Sequence, residues 1–365
     1  MMFEIDTIST LRILAAEVML VSATEELTNG DQRAVRCRGQ LLLEAQAAHD
    51  AIVGRAERLG YTPLFQHDPA GAAILFIPTP PKAQPSRLWL AVLLFLLTVA
   101  STMLVGGQEY IESTGQVVFN WGYALSFSGS LLAILLAHEL GHFIVARRER
   151  VAVSYPFFIP MPFFLLGTMG AFIAIKDLVP NRRALLAIGI AGPLAGLFVA
   201  IPVLAIGLSI SEVKQVVPLP GSFTEGNSLL YAAMKILIFG RFLPSGGEDV
   251  YLHPMALAGW AGLLVTGLNL LPAGQLDGGH IFFALFGPRA ARLMSAIVAV
   301  ALLGLGFFWS GWFIWAVMIA LIGQQRSPLR NEISPLEGPW RWLAYIGILT
   351  FILVFTPIPI TVNTP

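Results

Sequence analysis

From residue 87 onward, apolar residues run in long blocks with few polar interruptions. A bilayer-spanning helix needs about 20 such residues. Seven blocks qualify as candidates: 88–105, 121–146, 184–208, 254–272, 290–308, 311–323 and 340–357. The sixth is short, and 290–323 also reads as a hairpin turning at Ser310–Gly311. The expected architecture is therefore an all-α polytopic membrane protein of about six to seven spans. The pattern before residue 86 is different. Residues 33–42 suit a strand, 43–59 suit a helix stopped by Gly60, and YTPLFQ and AAILFIP suit two strands around a turn at Asp68–Gly71. A small α/β domain over 1–85 is expected, ending in the Pro-rich stretch 79–85, with a membrane domain over 86–365. The start, MMFEIDTIST, has neither the basic cluster nor the apolar core of a signal peptide, so none is expected.

Composition supports the membrane reading. Hydrophobic residues make up 56% of the 365 and charged residues only 12%, about half the share in a soluble domain. Lys plus Arg equal Asp plus Glu at 22 each, so nothing suggests a nucleic-acid partner. The one cysteine, Cys37, allows no internal disulfide and no cysteine zinc cage. The balanced total conceals sidedness. With the N-terminal domain in the cytoplasm, thirteen basic residues flank the spans on that side: Lys82, Arg87, Arg147, Arg148, Arg150, Lys176, Arg182, Arg183, Arg289, Arg292, Arg326, Arg330 and Arg341. Only Lys214, Lys235 and Arg241 lie opposite. Basic loops stay inside, so a multi-pass cell-membrane protein with a cytoplasmic N-terminus is expected.

Against this background, ionisable residues within spans are functional suspects. The second block contains ILLAHELGHFIVA, in which His138, Glu139 and His142 interrupt an apolar helix. Positions four apart differ by about 40° around a helix, so both imidazoles share a face and can reach one zinc ion. Glu139 sits beside that face, where it can touch a metal-bound water. With this composition an HExxH arises by chance about once in 250 such chains, and less often inside a span. A third ligand is needed. His49 and His67 fall in the soluble domain, and His253 falls at the far membrane surface. Asp277 and His280 remain, in NLLPAGQLDGGH, where Pro272, Gly274, Gly278 and Gly279 are expected to break the helix. An aspartate in a broken helix can turn inward to a metal, whereas His280 can equally orient a neighbour or face water. Zinc rather than iron or cobalt rests on ligand type.

HELGH followed by NLLPAGQLDGGH, both in apolar context, resembles the site-2 proteases, a family of intramembrane zinc metalloproteases. NRRALLAIGIAGPLAG at 181–196 and the stretch 253–280 are similar to the bacterial, cyanobacterial and plastid branch, and the N-terminal RGQLL and LGYTPLF are similar to its leading domain. The resemblance implies that His138, His142 and Asp277 bind one zinc ion and that Glu139 is the catalytic base. It also implies that Asn269 holds substrate or a developing oxyanion; as an amide in an apolar helix, Asn269 suits donation to a carbonyl or interhelical bonding. The protease core is expected over 121–285. Single-span membrane proteins are the expected substrates, the lipid bilayer the surroundings, and an upstream protease a candidate partner. A non-proteolytic zinc scaffold or a transporter is the alternative, though a structural zinc has no use for Glu139. Many relatives carry a PDZ domain after the third span; here that loop, 209–252, is about half the length such a module needs. FTEGNSLLYAAMKILIFGRF within it reads as a packed loop helix in preference to an interfacial one. Between the second and third spans, YPFFIPMPFFLLGTMGAFIAIKD is apolar but broken by three prolines. It suits a re-entrant hairpin whose strand edge pairs with unwound substrate.

Overall fold

The computed structural model describes residues 2–29, 32–69, 71–81, 84–111, 114–215, 223–322 and 328–362. Lys82 and Arg326 of the basic flanks lie outside these residues.

The chain begins with α1 (Met2–Ala16), β1 (Met19–Asn29), β2 (Gln32–Leu41), α2 (Ala45–Arg58), β3 (Tyr61–Asp68) and β4 (Gly71–Pro78). The strands form one antiparallel sheet in the order β1-β2-β4-β3. In α2 the residues Ala45, Ala48, Ile52 and Ala56 recur every three to four positions and are buried, the stripe a helix needs to pack on a sheet. Ala48, Ile52 and Ala56 meet Cys37, Phe65, Ile74 and Phe76 from the strands and Leu11 and Leu14 from α1. Elements β2 to β4 follow the pattern of the sequence. Helix α1 and strand β1 had no comparable signal, because β1 (MLVSATEELTN) lacks clean alternation and carries a register irregularity between Val21 and Ala23.

The remainder is mostly helical: α3 (Leu88–Gly106), the hairpin β5 (Gln108–Ile111) and β6 (Gln116–Phe119), α4 (Trp121–Arg148), the hairpin β7 (Phe157–Pro160) and β8 (Thr168–Phe172), and α5 (Arg182–Ser209). Then come β9 (Glu212–Gln215), β10 (Phe223–Glu225), α6 (Leu229–Phe239), β11 (Glu248–Tyr251), α7 (Pro254–Asn269), α8 (Asp277–Leu305), α9 (Gly311–Ile322), α10 (Pro339–Val354) and β12 (Ile360–Val362). Among the described residues, four helices are long and apolar enough to cross a membrane: α3, α4, α5 and α8. Leu93, Leu96, Leu97 and Leu104 of α3 point outward, which suits lipid rather than water. Helices α7, α9 and α10, expected as spans, have 16, 12 and 16 residues. The small two-stranded sheets add to the all-α picture, and β9 pairs with β11 and β10 with β12.

One difference bears directly on the site. The chain breaks at 270–276, and Gly278 and Gly279 lie inside the first turn of α8 instead of interrupting a helix. Asp277 therefore opens α8, which runs on to Leu305 with a kink at Gly287. A side chain at 278 or 279 would strike the carbonyls of Leu270 or Gly274. The glycines serve this tight chain reversal, with Gly274 at a left-handed φ of 57°.

Helices α4, α5 and α7 form the centre of the molecule, packed through small residues. A Cβ at Gly262 would touch Ile134, and one at Gly259 would touch the backbone of Leu204. Such close approach is how helices associate within a bilayer. Caps hold the ends: the Asn120 side chain accepts from the amides of Gly122 and Tyr123, and that of Asn181 accepts from the amide of Ala184. Helix α6 is the helix expected inside the loop 209–252. It is pinned by Lys235, fully buried, whose Nζ lies 3.9 Å from both Glu225 Oε1 and Asp249 Oδ1. Lys235→Met would leave two half-buried carboxylates without their cation, a loss of about 2–3 kcal/mol. Thermal unfolding in detergent should show a lowered midpoint.

Candidate metal centre

His138 and His142 lie on one face of α4 and are 3% and 6% exposed, deep enough to exclude bulk water. The break at 270–276 folds Asp277 back to meet them. Asp277 Oδ2 is 3.3 Å from His138 Nε2 and 3.3 Å from His142 Nε2, and the two Nε2 atoms are 3.2 Å apart. Donor atoms 2.0–2.1 Å from a tetrahedral centre stand about 3.3 Å from one another. The triangle thus has the edge length of a tetrahedral zinc face, and three protein donors leave the fourth position open, as in catalytic sites.

The surroundings fit a metal as well. His142 Nδ1 donates to the carbonyl of Ile188, 2.7 Å away, which directs the Nε2 lone pair to the centre. Helix α5 approaches the two imidazoles with bare backbone. A Cβ at Gly192 would lie 2.1 Å from His142 Nε2, and one at Gly196 would lie 3.2 Å from His138 Nδ1. Asn269, the last residue of α7, brings Nδ2 within 3.3 Å of His138 Nε2, so the amide sits at the edge of the same centre. Glu139 is 4% exposed. The amide of Ile173, just after β8, donates to its carboxylate, and Oε2 has no partner. An orphaned carboxylate oxygen at this depth is costly unless something polar meets it.

The structure therefore brings together His138, His142, Asp277, Glu139 and Asn269. His280 is not part of the three-donor group; its Cβ packs where a Cβ at Gly189 would be 2.9 Å away. The supporting backbone groups, Ile188 C=O and Ile173 N–H, are invisible to motif reading. Gly192 and Gly196 have no role assignable from residue type alone; the signal that marks them is their four-residue spacing in IAGPLAG, the same as that of the histidines.

Beside the centre, β7 and β8 pair with Phe158 opposite Ala171 and Pro160 opposite Thr168. The hairpin end rests on α3, where Ser101 Oγ donates to the Gly167 carbonyl at 2.5 Å.

Comparison with known proteins agrees with a zinc centre. The chain is similar to a probable zinc metalloprotease EGY1, chloroplastic, of Oryza sativa subsp. japonica, at 32% identity over 305 residues, 76% of this chain and 52% of that protein. It is also similar to a probable zinc metalloprotease EGY2, chloroplastic, of Arabidopsis thaliana, at 33% identity over 235 residues, 63% of this chain and 42% of that protein. The chain spans about half the length of these curated relatives or less. No solved structure matches. The pattern of peptidase family M50 matches residues 126–310, just over half of the chain and including every residue of the centre, and the chain belongs to that family.

Proposed function

We propose that the protein is an intramembrane zinc endopeptidase that cuts within the membrane segments of single-span proteins. The observation that carries this reading is the three-donor triangle beside a buried carboxylate with an unpartnered oxygen. His138, His142 and Asp277 would hold one zinc ion. When bound, zinc supplies a Lewis acid that makes water nucleophilic near neutral pH and polarises a carbonyl. Glu139 takes the proton from the attacking water and delivers it to the leaving amine. The Ile173 amide keeps the carboxylate oriented for that transfer. Asn269 Nδ2 is placed to donate to the carbonyl oxygen as charge develops on it. No covalent intermediate is needed.

A helical substrate must unwind to present its scissile carbonyl. Ser101, which meets the hairpin end, lies thirteen residues into α3, about 20 Å along that helix. This supports a re-entrant hairpin, whose strand β8 runs into the amide that holds Glu139. An extended substrate pairing along it would have its backbone delivered beside the base. In this reading residues 1–85 form a cytoplasmic domain, 86–365 the membrane-embedded protease, and water reaches the centre from the cytoplasmic side of the cell membrane. A scaffold is disfavoured because a structural zinc has no use for Glu139, and a transporter because the polar residues within the spans gather toward one side instead of lining a path through both leaflets.

The test is cleavage of a single-span polypeptide by the purified chain in vesicles. Cutting within the span is expected, lost on zinc chelation and regained when zinc is restored. Cutting confined to soluble flanks, or cutting indifferent to chelation, would overturn the reading.

A further inference from the structure

The N-terminal sheet does not end at β3. The amide of Phe65 donates to the Arg330 carbonyl at 2.8 Å, and the amide of Glu332 donates to the Phe65 carbonyl at 2.9 Å. A segment preceding α10 thus adds a parallel bridge to the sheet, Asn331 opposite Phe65. Gln46, in the first turn of α2, accepts from Asn181 and Asn331 at 3.3 Å each. The sheet is therefore docked on the chain just before α5.

At the centre of this seam is Arg182, the first residue of α5 and only 8% exposed. Its position is unfavourable on two counts. A cation at a helix N-terminus opposes the macrodipole, and burying it costs hydration. Three contacts offset these costs. Arg182 Nη2 is 3.2 Å from His67 Nε2 on β3. The guanidinium stands over the Phe283 ring, with its carbon 6.0 Å from the centroid. It also fills the space beside the kink in α8, where a Cβ at Gly287 would be 3.0 Å from Nη2. Glu332 adds an attractive charge. One side chain thus touches the N-terminal sheet and both the body and the kink of the half-helix that opens with Asp277. The helix it begins supplies the Ile188 carbonyl to His142 six residues later.

We propose that Arg182 is a positioning residue for the metal centre, setting the place of the Asp277-bearing half of α8, and that it does so while His67 accepts its hydrogen bond. The proposal rests on the proteolytic reading only for its consequence, since the positioning itself acts on the zinc ligands.

An arginine can only donate, so His67 must present a neutral Nε2. Protonation removes that lone pair and places a second cation against Arg182, with Arg289 of α8 close by. The carboxylates nearby do not compensate: Asp68 on the same strand is paired with Arg38 at 3.4 Å, and Glu332 faces Arg182. Burial, with Arg182 and Arg289, holds His67 below its ordinary value of 6.5. The docked state accordingly binds a proton less readily than the undocked one. Docking is at full strength above about pH 6.5 and weakens as pH falls below it. The seam couples acidification, or any partner of the N-terminal sheet, to the zinc ligands.

The test uses the full zinc-loaded chain in nanodiscs, with two readouts that need no cleavage. Protection factors of the Phe65 and Glu332 amides report docking, and chelator competition reports zinc retention. In wild type, protection should fall about tenfold between about pH 7.5 and about pH 5.5. His67→Gln, whose amide oxygen still accepts but cannot be protonated, should keep protection at both. His67→Arg should lose it at both. Arg182→Gln should retain zinc about tenfold less tightly, and Arg182→Lys should restore part of the loss. Unchanged protection in His67→Arg, or wild-type zinc retention in Arg182→Gln, would overturn the proposal. A chain that shows both effects yet cleaves no substrate would overturn the proteolytic reading and leave this one standing.

Discussion

Glu139→Gln is expected to abolish cleavage while leaving zinc in place. The substitution preserves size and retains an oxygen that can accept from the Ile173 amide, so the local packing has no reason to change. What disappears is the ability to take a proton from water and return it to the leaving amine. Positioned acid–base groups contribute about 10²–10⁴-fold, and Glu139 is asked to act in both directions, so the loss should lie toward the upper end. His138→Ala and Asp277→Ala should also abolish cleavage, but by a different route, because each removes one corner of a triangle with edges of 3.2–3.3 Å. Metal analysis separates the two cases: zinc should be retained in Glu139→Gln and depleted in the ligand variants. Normal turnover by Glu139→Gln would remove it from the chemistry. Equal zinc in all three variants would move the metal elsewhere. A scaffold that keeps zinc for structure would tolerate Glu139→Gln and fail only with the ligand variants.

The residues of this experiment were legible in the sequence because an apolar chain makes ionisable groups conspicuous. His138, Glu139 and His142 needed only helical geometry, since all three lie on one continuous helix. Asp277 needed more: its turn toward the histidines depends on a chain reversal at 270–276, and Pro272 and Gly274 mark a break there without giving the direction of the turn. Gly274 falls in the break as expected, whereas Gly278 and Gly279 lie in the first turn of the next helix, where the amides are unpaired in any case. Asn269 was singled out by chemistry and resemblance, and its approach to His138 follows from sitting at the very end of α7. Hydropathy reports burial in lipid or protein alike. Hence α7 looks like a span although it has 16 residues and lies largely inside the bundle. The seam around Arg182 was not legible. By sequence Arg182 belongs to the basic flank, and nothing local distinguishes it from its exposed neighbour Arg183; the docking of β3 and the body and kink of α8 bury it.

The same bundle supplies a test of the metal centre that touches no ligand. Gly192→Ala adds one methyl group, and its Cβ would fall 2.1 Å from His142 Nε2, 2.4 Å from Cδ2 and 2.6 Å from Cε1. The ring cannot swing aside at small cost, because Nδ1 is held by the Ile188 carbonyl at 2.7 Å and the side chain is buried by the helices around it. Either the ring abandons that hydrogen bond or α5 moves away from α4. Both displace the Nε2 donor from a triangle that tolerates a few tenths of an ångström, so zinc retention should fall about a hundredfold and cleavage should fall with it. Overpacking of this kind costs about 1–3 kcal/mol, so the fold should survive and the variant should still purify. Gly196→Ala, one turn along, is the control. Its nearest ring atom is 3.2 Å away, a contact relieved by a small shift, and it should retain most of its zinc. Alanine is otherwise the better helix former at both positions, so propensity predicts a gain at each. A steep loss at 192 beside a mild effect at 196 is the signature of helix α5 acting as a bare-backbone cradle for His142. Equal and mild effects at the two positions would show that the imidazole has room to move, and the centre would then owe its geometry to the ligands alone.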